Sequence, residues 1–233
     1  MAPKLQILVL ISGSGSNLQA LIDSVAGKSS PQIDAEIAAV ISSSTAAYGL
    51  TRAKNADIPT IVHDLQQYYE DIPKDDKVRR REARKTFNVD LAEKVLKFDP
   101  DLIVCAGWML ILSPSFLHPI SEKGIPIINL HPALPGQFDG INAIERAWQA
   151  GQRGEITKGG VMIHRVIKEV DRGEPLVVKE LEFRKEETID DYEERVHTAE
   201  HIAIVEATIL ALNEVKEKRV VLPSVENLQL SDQ

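Results

Sequence analysis

A chain of 233 residues, 43% hydrophobic and 27% charged, has room for one large domain or two small ones and the balance of a soluble globular protein. Its 27 Lys and Arg against 35 Asp and Glu leave a formal charge of −8, which argues against broad nucleic-acid binding, because that needs a strongly positive face. The single cysteine, Cys105, cannot form an intrachain disulfide and points to a reducing compartment, and no run approaches the roughly 20 apolar residues that span a bilayer. Cytoplasm is the expected location.

Strand-like and helix-like runs then alternate along the chain. "LQILVLIS" (5–12) predicts a strand that feeds a glycine-rich loop, and 16–26 predicts a helix. The apolar stretch is too short for a secretion signal and reads as a core strand. "AEIAAVIS" (35–42) is a second strand, followed by a helix over 46–56 and a short strand, "IPTIV" (58–62). A polar-to-amphipathic helix over 76–98 precedes a fourth strand over 101–107, which holds Cys105 as a buried residue. "IPIINLHP" (125–132) is a fifth strand, with a helix over 141–150 after it. Continuous apolar strands separated by helices predict a parallel sheet covered on both faces. The late strands 159–166 and 174–183 lie too close for a helical crossover and predict an antiparallel edge. A long helix over 188–217 closes the pattern, with Thr188 as its N-terminal acceptor and acid in its first turn. No repeat or flexible linker is visible, so one domain over 1–233 is expected, with its core at about 5–215 and a loose polar tail over 218–233. The charged run "KDDKVRRREARK" (74–85) reads as a solvated helix face, with one arginine reaching a ligand as the second reading.

The loop "SGSGSN" raises the question of whose phosphate it holds. A dinucleotide fingerprint needs a third glycine or alanine where this chain has Leu18, and an acid after the second strand where it has "VISSSTA". No Gly-Lys-Ser/Thr follows, so a nucleotide P-loop is excluded as well, and NAD is not expected. What remains is a short loop in which Gly15, Ser16 and Asn17 open a helix, suited to a terminal phosphate monoester or, without a ligand, to a tight turn with a serine cap.

A second constellation lies at the end of the fifth strand. With period 2, Asn129 and His131 project from the same face, and Pro132 and Pro135 stiffen the exit. This is the strand end at which open α/β sheets bind ligands, although either side chain can also be structural. Further on, His164 and Asp171 bracket a turn, "DRGEP". Asp171 is either a simple turn residue or a partner of His131, and in the second case its charge would favour the protonated, donating imidazole. "HTAEH" (197–201) has a zinc-protease spacing, but no third ligand is apparent. His63 and His118 lack sequence partners and read as structural, while His164 is a candidate for supporting the site.

Taken together, "LISGSGSNLQALI", "PDLIVCAGWMLILSP", "IINLHPALPG", "EVDRGEPLVV" and "RVHTAEHIAIVEA" resemble the phosphoribosylglycinamide formyltransferases of the folate-dependent formyltransferase group. The likeness runs from about Ile7 to about Leu212, and "HPALPG" with "FDGINAIERAW" is most similar to the fungal branch. It implies an α/β, Rossmann-like fold: a mostly parallel twisted sheet of about seven strands with an antiparallel edge portion and helices on both faces. It implies formyl transfer from 10-formyltetrahydrofolate to the amine of 5-phosphoribosylglycinamide in purine biosynthesis. It also implies roles. Asn129, His131 and Asp171 match a catalytic trio. Gly15, Ser16 and Asn17 match a substrate-phosphate loop, and Glu200 an acid that holds the ribose hydroxyls. Met109, Leu110, Ile111 and Leu112 match a strip whose backbone meets the pterin, with Asn129, Arg84 and the loop Ile167, Lys168, Glu169, Val170 and Asp171 on the same folate side. Leu110 stands where bacterial members often carry arginine, so only backbone contacts carry over there.

Amine attack on the formyl carbon needs an oxyanion stabiliser and one proton moved to N10, which Asn129, a protonated His131 and Asp171 can supply without a metal. The partners implied are small molecules, with neither nucleic acid nor membrane, and a weak homodimer is left open. Rival readings are another folate formyl enzyme, either a 10-formyltetrahydrofolate deformylase or a methionyl-tRNA formyltransferase, and a non-catalytic phosphosugar-binding module. The deformylases usually carry an extra N-terminal domain, whereas this sequence opens on its first strand.

Overall fold

The computed structural model describes residues 3–229, with side chains as far as 219. Its strands are β1 (Leu5–Ile11), β2 (Ala35–Ser42), β3 (Thr60–Val62), β4 (Leu102–Cys105), β5 (Ile127–His131), β6 (Lys158–Arg165) and β7 (Pro175–Glu182). Its helices are α1 (Ser16–Val25), α2 (Gly49–Asn55), α3 (Leu65–Tyr69), α4 (Lys77–Leu96), α5 (Pro114–Glu122), α6 (Ala143–Gln152) and α7 (Ile189–Gln229). The strands form one sheet in the order β3-β2-β1-β4-β5-β6-β7. The first five are parallel, and β6 and β7 join them antiparallel, as the spacing of the late strands predicts.

The alternation of β1 divides the core in two. Ile7, Val9 and Ile11 enter one apolar layer with Leu18 and Leu21 of α1 and Val196, Ala203 and Ile204 of α7. Leu8 and Leu10 enter the other, with Phe87 and Leu91 of α4 and Phe116 and Ile120 of α5. Each such side chain, fully buried, contributes about 1.5–3 kcal/mol. Leu18 is wholly buried, which is why a third glycine has no place in the loop. The same alternation turns Ile128 and Leu130 of β5 into the α7 layer, so Asn129 and His131 share the opposite face.

Helix boundaries follow local chemistry. Asp76 caps α4 by accepting from the Arg79 N–H at 3.0 Å. Thr188 and Asp191 cap α7 reciprocally: the Thr188 Oγ1 accepts from the Asp191 N–H at 3.2 Å, and the Asp191 carboxylate accepts from the Thr188 hydroxyl at 2.6 Å. Two helices have no counterpart among the predicted elements. α3 spans only five residues, and α5 contains Pro119, so both segments read as loop. α7 runs past the expected end at 217 as far as Gln229; residues 230–233 of the expected tail lie outside those described.

Candidate active site

The chain leaves β1 toward β2 and β3 on one side and resumes at β4 on the other, so the crevice above the β1 and β4 carboxyl ends is a topological switch point. A cavity of about 470 Å³ opens there. It is lined by the loops that follow β1, β4 and β5, by the segment between β6 and β7, and by His197 and Glu200 of α7.

One end of the cavity is the loop Ser12–Asn17. Gly15 adopts left-handed backbone (φ 70°), and no side chain caps α1, so the first N–H groups of that helix face the cavity without a protein acceptor supplied by a cap. A Cβ on Gly15 would lie 2.5 Å from the Gly49 Cα, so the loop is pressed against the start of α2. The Gly49 N–H donates to the Gly13 carbonyl at 3.1 Å, and Arg52 Nε donates to the Ser14 carbonyl at 3.0 Å. The buried Asn17 donates through Nδ2 to Glu200 Oε2 at 2.9 Å, while its Oδ1 is buried without a partner. Burial raises the Glu200 carboxyl above its ordinary range, against the pull of that hydrogen bond.

At the foot of the cavity four side chains meet. Antiparallel register sets Asn129 opposite His164, with Asn129 Nδ2 3.2 Å from His164 Nε2. Asp171 reaches in from left-handed backbone (φ 54°), its Oδ2 3.5 Å from His131 Nδ1 and its Oδ1 3.5 Å from His164 Nε2. The Gly140 N–H donates to Asp171 Oδ2 at 2.9 Å, and Asn129 Nδ2 lies 3.5 Å from Oδ1. His131 Nε2 faces the Gln137 carbonyl at 3.2 Å, so both nitrogens of that ring face acceptors, an arrangement that an imidazolium satisfies at both positions. His164 Nδ1 faces the Arg165 carbonyl at 2.9 Å, and its Nε2 lies between the Asn129 amide and Asp171 Oδ1. Burial pushes the Asp171 carboxyl up, but hydrogen bonds from His164 and Gly140 and the charges of the two imidazoles outweigh it and hold the group below its ordinary value. A carboxamide, two imidazoles and an ionised carboxylate in one pocket can stabilise a developing oxyanion and pass a proton.

The other end is apolar. Met109, Ile111 and Ile141 are 65%, 61% and 71% exposed, and Ile167 and Val170 are also open. Leu110 packs on the core and Leu112 is buried, so the strip turns alternate side chains and its backbone to the cavity. Ser12 Oγ accepts from the Met109 N–H at 2.9 Å and so ties this strip to the loop after β1. Lys168 and Glu169 complete the flanking loop. Arg84 does not line the cavity: it lies behind the strip and donates from Nη2 to the Ile111 carbonyl at 3.0 Å.

Every other residue singled out in the sequence for this site lines the one cavity. Sequence reasoning gives His164 only a supporting place and misses Gly49, Arg52, Gln137 and Gly140. Their contacts depend on register or on loop packing, which have no local signature. His63 is enclosed against Phe87, with Nε2 2.8 Å from the Phe87 carbonyl, as a structural histidine would be. Cys105 is fully buried, and burial pushes its thiol up to about 12.

This geometry agrees with what the chain is similar to. Residues 5–208 match the formyl transferase family. The phosphoribosylglycinamide formyltransferase of Saccharomyces cerevisiae is 55% identical over 215 residues, covering 90% of this chain and 98% of that one. The enzyme of the same name from Schizosaccharomyces pombe is 47% identical over 201 residues, covering 86% and 94%. Among solved structures, glycinamide ribonucleotide transformylase 1 from Symbiobacterium toebii superposes with a TM-score of 0.75 at 29% identity, covering 91% of this chain and 90% of that one. By sequence over nearly its whole length, and by the sheet that carries the site, the chain belongs to the formyl transferase family.

Proposed function

We propose that the chain transfers the formyl group of 10-formyltetrahydrofolate to the amine of 5-phosphoribosylglycinamide, giving formylglycinamide ribonucleotide and tetrahydrofolate in purine biosynthesis. The observation that carries this reading is the Asn129, His131, His164 and Asp171 cluster, set between an uncapped helix N-terminus and an apolar strip. In this assignment the α1 N-terminus at Gly15, Ser16 and Asn17 holds the phosphate. Glu200 takes the ribose hydroxyls, and the buried, unpartnered Asn17 Oδ1 leaves one further acceptor beside it. The exposed faces of Met109 and Ile111, with the backbone through Leu112 and the loop from Ile167 to Asp171, suit a flat heterocycle with polar edges. Arg84 belongs to the folate side through its hold on the strip.

The amine then attacks the formyl carbon. A carbon–nitrogen bond forms, negative charge builds on the formyl oxygen, and the bond to N10 breaks as N10 takes up a proton. Asn129 Nδ2 and a protonated His131, whose Nε2–H turns from the Gln137 carbonyl to the substrate, donate to the oxygen. Asp171 orients His131 and, with water, relays the proton. This chemistry asks for no metal, because protonated N10 is an adequate leaving group. The enzyme acts on small molecules as a single domain in the cytoplasm; among the described residues no helix is long and apolar enough to cross a membrane.

An assay of both products tests the reading. Formyl transfer that depends on phosphoribosylglycinamide is expected. Release of formate from the folate without the amine would instead make the chain a hydrolase.

A further inference from the structure

Two segments meet at the catalytic cluster: residues 132–142, between β5 and α6, and residues 166–174, between β6 and β7. From the first come the Gln137 carbonyl opposite His131 Nε2 and the Gly140 N–H that donates to Asp171; from the second comes Asp171 itself. Outside the cavity the same segments are joined again. Arg172 Nη2 lies 2.6 Å from Asp139 Oδ2, and neither residue lines the cavity. Among the described residues each is the other's one ion-pair partner. The remaining Asp139 oxygen, Oδ1, is buried without a hydrogen-bond partner, so the contact with Arg172 is what offsets that charge. Each side is also anchored from behind. Arg146 of α6 donates to the Phe138 and Asp139 carbonyls and lies 5.6 Å over the Phe138 ring. A Cβ on Gly173 would lie 1.6 Å from the Arg165 carbonyl oxygen, so the chain after Arg172 is pressed onto β6. Phe138 and Asn142 in the first segment and Asp171 in the second stand in left-handed backbone, which persists only where surrounding contacts impose it.

We propose that Asp139 and Arg172 are positioning residues, a clasp outside the cavity that sets the Gly140 N–H on Asp171 and the Gln137 carbonyl on His131. The inference rests on the formyl-transfer reading for the reaction it serves. Asp139 adjoins Gly140 and Arg172 adjoins Asp171, so the ion pair and the Gly140–Asp171 hydrogen bond are two rungs between the same two segments. With both rungs made, Asp171 cannot turn from His131 without parting the pair. With the pair removed, the hydrogen bond loses its second rung and Asp171 spends more time away from the imidazole. Because neither clasp residue lines the cavity, the loss falls on turnover and not on substrate binding.

The test reads hydrogen exchange of the Gly140 amide by NMR on the full chain without substrates, beside kcat and KM for transfer. In Arg172→Gln, and equally in Asp139→Asn, that amide is expected to exchange about fivefold faster, the upper end of what an exposed ion pair supplies. The same variants are expected to lower kcat about threefold and to leave KM for both substrates within about twofold. Arg172→Lys restores both readings, because the pair uses one nitrogen and a point charge can replace it. The double variant Asp139→Asn/Arg172→Gln is no worse than either single one. Arg153→Gln, which breaks an exposed ion pair with Glu155 outside the site, changes neither reading. An unchanged Gly140 amide in Arg172→Gln, losses that add in the double variant, or a KM that moves while kcat does not overturns the clasp. Because exchange is read without substrates, failure of transfer to phosphoribosylglycinamide would overturn the activity while leaving the clasp decided on its own measurement.

Discussion

Asp171 keeps its charge in an awkward place. Its side chain is 9% exposed and in left-handed backbone, held by the Gly140 N–H and two imidazoles. Because the folded carboxyl titrates below its ordinary value, its contribution to stability is fully present above the unfolded pKa of about 3.9. It is lost as pH falls through the lower folded value. At neutral pH the residue is ionised, as the orientation of His131 requires. Asp171→Asn and His131→Ala are each expected to lower kcat by roughly 10² or more, the cost of losing an oxyanion donor or its orientation. Steady-state rates with saturating donor check this, and near-normal turnover in both would remove the mechanism. Glu200 has the opposite sign. Burial raises its pKa, so its stabilising contribution is present below the unfolded value and is lost as pH rises through the folded one. Glu200→Gln should therefore narrow the difference in Tm between pH 5 and pH 8, and raise KM for the phosphoribosyl substrate more than it lowers kcat. Thermal unfolding at the two pH values separates the first effect from the second.

Elements are legible in the sequence where their signal is local. β1, β2 and β5 carry apolar runs, and the two-residue period of β5 is enough to put Asn129 and His131 on one face. α3 and α5 are not legible, because five residues are too few for a periodic signal and Pro119 reads as a breaker. The glycine loop is legible as a strand-to-helix turn, but its rigidity is not. That comes from Gly15 meeting Gly49, residues 34 positions apart whose backbones touch. Gly15→Ala combines a positive φ with that clash and should destabilise by about 1–3 kcal/mol while raising KM for the phosphorylated substrate. Gly13→Ala, where a Cβ meets nothing within 4 Å, should stay within about 0.5 kcal/mol. Denaturant midpoints of the two variants test the contrast, and equal losses would mean that the loop is not braced by α2.

At the largest scale the molecule is a sheet buried on both faces, and Cys105 reports on that packing. It sits in β4 between two apolar layers, with its thiol pushed up to about 12, so a thiol reagent at pH 8 should leave the native protein unmodified and label one site after denaturation. Rapid labelling of the native chain would mean that β4 opens readily. The alternation of strands and helices, the antiparallel edge, the lack of a dinucleotide fingerprint and the shared face of Asn129 and His131 all follow from the order of residues. They are set by the spacing of neighbouring side chains along the backbone. Other features wait for the chain to fold: His164 comes to face Asn129, Asn17 reaches Glu200 183 positions away, Arg84 stands behind the Met109–Leu112 strip, and six cations share one groove. Those pairings depend on strand register and on which helix face is buried, and packing across the whole chain settles both.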